Sequence, residues 1–142
     1  MWNEEENQDY TMREITRLIM NEYHIKKMDF MGYKLNKNEA SYHHLIIPKR
    51  LGGEDSVDNG AVLNGRTSHP YLHIIENVCI GMFWDITDLI IEEKEVGRLD
   101  DDCLKKIDYI LSCFEKENYN LRTSKGKVLI KEEYIRERKK RN

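Results

Sequence analysis

Cysteine is scarce and poorly placed for cross-linking: the three thiols, Cys79, Cys103 and Cys113, are odd in number and never stand as C-x-x-C. Neither a disulfide framework nor a cysteine-based zinc knuckle is indicated, and reduced, buried thiols are the expectation. Long apolar runs are lacking too. The most apolar window, residues 71–91, is interrupted by His73, Glu76, Asp85 and Asp88, so no segment reads as a membrane span. Glu4, Glu5 and Glu6 stand where a secretion signal needs bases and an apolar stretch. These absences predict a soluble, cytoplasmic protein with no membrane partner. Repeats, low-complexity tracts and linkers are missing as well, and a length of 142 residues predicts one domain over residues 1–142.

What is present fits a modest core beneath a solvated surface: 39% of residues are hydrophobic and 35% charged. The net charge of −3 conceals a local asymmetry. Residues 76–118 hold twelve acids against five bases, a region that offers an acidic face to a protein partner. Residues 122–142 hold nine bases (Arg122, Lys125, Lys127, Lys131, Arg136, Arg138, Lys139, Lys140, Arg141) against Glu132, Glu133 and Glu137. That basic extension reads either as a phosphate-contacting tail or as a solvated helix end.

Local patterns predict the elements. A loose acidic stretch over residues 1–10 gives way to a T-x-x-E capping box at Thr11 and Glu14, opening a helix with Ile15, Leu18, Ile19 and Tyr23 on one stripe. Residues 26–37 read as a strand or an irregular crossing. Residues 40–47 form a strand ending at Pro48, and Gly52, Gly53, Asp58, Asn59 and Gly60 mark a wide loop before a short strand, Ala61-Val62-Leu63. A turn at Asn64-Gly65 leads into a helix capped by Thr67 or Ser68, with Pro70 at an early position. That helix pauses near Gly81 and resumes to Gly97, with Phe83 and Trp84 read as core rather than as a base-stacking platform. The clearest amphipathic helix spans residues 98–118, capped by Asp100 or Asp101 and striped by Cys103, Leu104, Ile107, Ile110, Leu111 and Phe114. Residues 119–131 suggest a hairpin before a charged final helix.

Four of the five histidines fall within 31 residues: His43-His44 at a strand end, and His69 and His73 at a helix start. Residues four apart share a helix face, so His69 and His73 can offer two imidazoles to one metal ion. Neighbours on a strand point oppositely, which gives His43 and His44 different tasks, one binding and one reacting. Gly52-Gly53 permits a close turn, and the Asn59 amide can hold an imidazole in one orientation. His24 stands apart at the end of the first helix and reads as structural or surface.

Taken in order, His43-His44-Leu45, Pro48, Gly52-Gly53, Asp58-Asn59, His69 and His73 resemble the motif of the His-Asn-His (HNH) endonucleases. The paired helix histidines are most similar to those of the colicin-type DNases. The resemblance covers residues 40–77 and implies an α+β fold, with a ββα-metal (His-Me finger) hairpin embedded in a mostly helical domain. It implies a metal-dependent endonuclease acting on DNA. His43, His69 and His73 become ligands of one divalent ion (Mg²⁺, Mn²⁺, Zn²⁺ or Ni²⁺), His44 the general base, and Asn59 the group orienting that base. Lys49, Arg50 and Arg66 become clamps on neighbouring phosphates. Small members of the family are often phage or prophage products.

The chain departs from the common pattern in two respects. The stretch from Asn59 to His69 is one residue longer, which leaves Asn64 as an alternative for the asparagine role, and the flanking zinc-binding cysteine pairs of many relatives are missing. Two other function classes stay open: a catalytically silent HNH-like module that binds nucleic acid or protein, and a structural zinc module.

Overall fold

The computed structural model describes residues 10–139. Most of the acidic stretch expected over residues 1–10, and Lys140 and Arg141 of the basic extension, lie outside the described residues. The architecture is α+β: five helices around one two-stranded antiparallel hairpin. No helix of the described residues is long and apolar enough to cross a membrane.

Helix α1 (Met12–Glu22) begins at the expected capping box, with the Glu14 N–H donating to Thr11 Oγ1 at 3.1 Å. Stepping about 100° per residue, Ile15, Thr16, Ile19 and Tyr23 share one arc, and all four are buried. Leu18 lies outside that arc and is exposed, so it leaves the stripe on which the sequence placed it.

The crossing that follows is irregular, held by a single bridge between Met28 and Lys34. It is nonetheless core, because Phe30, Met31, Tyr33 and Leu35 are all buried. Asp29 organises it. The Met31 and Tyr33 N–H groups donate to its Oδ1 at 2.9 Å, the Asn64 N–H donates to its Oδ2 at 2.8 Å, and the Ser68 hydroxyl donates to the same oxygen. Burial pushes the Asp29 carboxyl up to about 6, and these four donors oppose that shift.

Strands β1 (Ala40–His44) and β2 (Gly60–Asn64) pair antiparallel, with His43 opposite Ala61 and His44 opposite Gly60. The wide loop between them contains a close turn: Gly52 adopts φ +86°, and a side chain at Gly53 would meet the Ile47 carbonyl. Helix α2 (Ser68–Val78) follows β2 directly. The expected side-chain cap is not made. Thr67 flanks the helix without a capping bond, and the Ser68 hydroxyl is engaged by Asp29.

Helix α3 (Ile80–Val96) starts after a break at Cys79 rather than at Gly81, which lies inside it. Cys79, at φ −143° and ψ 88°, ends one helix through its N–H to Ile75 and starts the next through its carbonyl to Phe83. The break lets Tyr71, Leu72 and Ile75 of α2 and Phe83, Ile86 and Ile90 of α3 enter the same core. Gly97 closes α3 in the left-handed conformation. Helix α4 (Asp101–Asn118) opens on Asp100, whose carboxylate accepts from the Cys103 N–H at 3.1 Å, and its expected stripe is buried except for half-buried Ile110. Residues 119–131 make one bridge, Arg122 with Val128, around Gly126, before α5 (Glu132–Lys139).

Helix α5 is not a free basic tail. Ile130, Tyr134 and Arg138 are buried, and the Tyr134 ring stacks on Tyr71 at 4.9 Å. Arg138, counted from sequence among the solvated cations, is fully buried and ion-paired with Asp108 and Glu115 of α4. Two acids of the acidic region are therefore used inside the molecule.

Candidate metal centre

Strand β1 ends at His44, so His43 is the last strand residue whose side chain turns in toward α2. From the first turns of α2, His69 and His73 meet it. His43 Nδ1 lies 3.3 Å from His69 Nε2, which lies 3.1 Å from His73 Nε2. The three rings present one nitrogen each, all within 4.8 Å of one another. Two imidazole nitrogens bound tetrahedrally at about 2.0–2.1 Å stand roughly 3.3–3.4 Å apart, so the two short separations match a coordination edge. These three residues are close enough to bind a metal ion.

Burial, then the neighbouring imidazoles, lowers His43 to about 3 and His69 to about 4. Both rings are neutral near pH 7, with lone pairs available to a cation. The remaining nitrogens favour the same use. His69 Nδ1 is 2.9 Å from Ser41 Oγ, and His73 Nδ1 is 3.1 Å from Glu76 Oε1, so each ring is held through Nδ1 while its Nε2 faces the cluster. His43 Nε2 is buried with no hydrogen-bond partner among the described residues. The nitrogen of His43 that faces the other two rings is Nδ1, and it is the atom placed to take an ion. The donor set fits a divalent metal.

His44 stays out of this cluster. Its Nε2 lies 2.7 Å from Asp55 Oδ1, and its ring packs edge-on against Tyr42 at 4.8 Å. Yet it lines the same cleft of about 270 Å³ as His43, His69 and His73. No metal-binding group of three or more among the described residues includes a fourth side chain beside these three ligands.

Asn59, expected to orient His44, makes none of its side-chain hydrogen bonds to that ring; it ties the loop together instead. Its Oδ1 accepts from the Ile46 and Ile47 N–H groups at 3.1 and 2.8 Å, and its Nδ2 donates to the Ile47 and Glu54 carbonyls at 3.0 and 2.9 Å. The Tyr42 hydroxyl, 2.7 Å from the Ser56 carbonyl, grips the same stretch. Asp55, between Glu54 and Ser56, is thereby presented to His44. Lys94 closes the loop from below, with Nζ donating to the Val57, Asp58 and Gly60 carbonyls. Asn64 sits at the far end of the hairpin, opposite Ala40, where its side chain holds the Lys34 carbonyl and the Arg66 N–H.

No family model, curated protein or solved structure matches this chain.

Of the three expected phosphate clamps, Lys49 and Arg50 line the cleft. Arg66 does not; it projects into solvent beyond β2, 3.8 Å from Glu39. Trp84 is not core: it is 47% exposed and lines the cleft, while Phe83 is buried beside it. His24 is exposed in the left-handed region, outside the site. Sequence reading missed Ser41, Asp55 and Glu76. Glu76 alone carried a signal, standing three residues after His73 on the same helix.

Proposed function

We propose that the protein is a metal-dependent endonuclease of the ββα-metal type, hydrolysing phosphodiester bonds of DNA. One observation carries the reading: three imidazoles converge on one point, while a fourth, His44, opens into the same cleft on a carboxylate of its own. A structural zinc site wants four ligands and has no use for the extra histidine.

His43, His69 and His73 would hold a divalent ion (Zn²⁺, Ni²⁺, Mg²⁺ or Mn²⁺), which would supply Lewis-acid charge for the scissile phosphate and its leaving 3′ oxygen. The other steps belong to the chain. With Nε2 turned to Asp55, His44 takes the proton of the attacking water at Nδ1. Asp55 fixes the tautomer and offsets the charge that His44 gains. Arg50, 4.0 Å from Glu76 in a loose exposed pair, is free to turn to a phosphate, as is Lys49.

The test is incubation of the protein with supercoiled plasmid across a panel of divalent metals. Nicked and linear products are expected with at least one ion and are abolished by a chelator; intact plasmid under every metal overturns the proposal. A structural metal is recognised separately, by collapse of the whole fold on chelation without cleavage at any stage. Asp55→Asn is expected to retain metal affinity and to lower kcat on the order of 10-fold, because the amide can still meet His44 but no longer balances its charge. Unchanged turnover would remove Asp55 from the mechanism.

A further inference from the structure

The mouth of the cleft is unusually apolar for a site that handles phosphates. Trp84 lines it at 47% exposure. Ile46, in the loop after β1, lines the same cleft at 52% exposure. Lys49 and Arg50 lie in the same wall as Ile46. The cleft thus combines cations with one half-exposed indole in the lining that also holds the histidines.

Paired duplex DNA offers phosphates and base edges on its outside and keeps its base faces stacked within. Unpaired nucleotides expose those faces, and aromatic stacking with nearby cations is how single strands are commonly held. Phe83 packs against Trp84 with ring centroids 5.3 Å apart and interplanar angle 70°, which steadies the indole from the core side. We propose that Trp84 is a stacking platform for an unpaired base next to the scissile phosphate. The substrate class is accordingly DNA with unpaired nucleotides: single strands, flaps or loops. This rests on the nuclease reading and narrows its substrate.

The experiment uses the full chain carrying Trp2→Phe, which leaves Trp84 as the sole tryptophan. Chelator is present, so that binding is read without cleavage. An oligothymidylate single strand is expected to quench the indole emission by more than half, and a duplex of equal length and concentration to quench it little. Trp84→Ala, in the natural background, should weaken single-strand binding roughly 10-fold, as expected for one lost base stack, and Trp84→Phe should restore most of it. Equal quenching by duplex, or unchanged affinity in Trp84→Ala, overturns the proposal. Absence of quenching by either DNA also overturns it and leaves the apolar mouth to a protein ligand. Plasmid nicking that depends on His44 would survive any of these failures, so loss of this inference and loss of the nuclease reading are distinguishable.

Discussion

His44→Ala should abolish cleavage and leave metal binding intact. The ring makes no contact with the nitrogens of His43, His69 and His73 that face one another, so its removal takes no ligand from the set. It is partly exposed at the end of β1, and alanine there opens space toward the cleft rather than a cavity in the core. The expected loss is the contribution of a positioned base, roughly 10²- to 10⁴-fold in kcat. Titration with a chromophoric divalent ion such as Co²⁺ should give one site in both parent and variant. Free imidazole in the buffer should recover part of the lost rate, since the cleft is open to a small molecule; a folding defect would show no such rescue. Activity within a few-fold of the parent would remove His44 from the reaction and return the histidine cluster to a structural or binding role.

The histidines were legible because their spacing carries chemistry: four residues apart on a helix is one face, and adjacent at a strand end is two directions. The hairpin was legible for a similar reason. Aromatic and β-branched content and the Pro and Gly punctuation are local, so both strands appear within three residues of their expected limits. What could not be read is what depends on contact across the chain. Asp55 looks like any loop acid until the 54–56 stretch is folded back onto His44 by Tyr42 and Asn59. Asp29 likewise gains its place only when β2 and α2 meet the crossing segment.

Trp84 and Arg138 make the same point in opposite directions. A tryptophan in an apolar run was assigned to the core, and an arginine in a basic run to solvent; tertiary packing reverses both. For Trp84 the cause is the break at Cys79. It sets the phase of α3 so that Phe83, Ile86 and Ile90 fill the core and the indole falls on the neighbouring arc. The long helix read from sequence has no such reset at that residue. For Arg138 the cause lies on α4, where two carboxylates wait on the face that α5 covers.

Replacing that arginine is the second large effect. Burial opposes its charge, but the Glu115 hydrogen bonds, with Asp108 in support, more than compensate and hold the guanidinium fully ionised. Nη2 donates to Glu115 Oε1 at 2.8 Å, Nη1 also meets Glu115, and Nε stands 2.7 Å from Asp108 Oδ1. Glu115 in turn accepts from the Tyr71 hydroxyl at 2.9 Å, on the helix that carries His69 and His73. Arg138→Met keeps most of the volume and strands the buried Glu115 carboxylate, a defect that typically costs about 3–5 kcal/mol. In a domain of this size the midpoint of thermal unfolding should fall on the order of 10 °C or more. Pairing the change with Glu115→Gln removes the stranded charge, so the double variant should be more stable than Arg138→Met alone despite carrying an extra substitution. An unchanged midpoint in Arg138→Met, or additive losses in the pair, would mean that α5 is held by Tyr134 and Ile130 alone. The cation would then belong to the solvated tail after all.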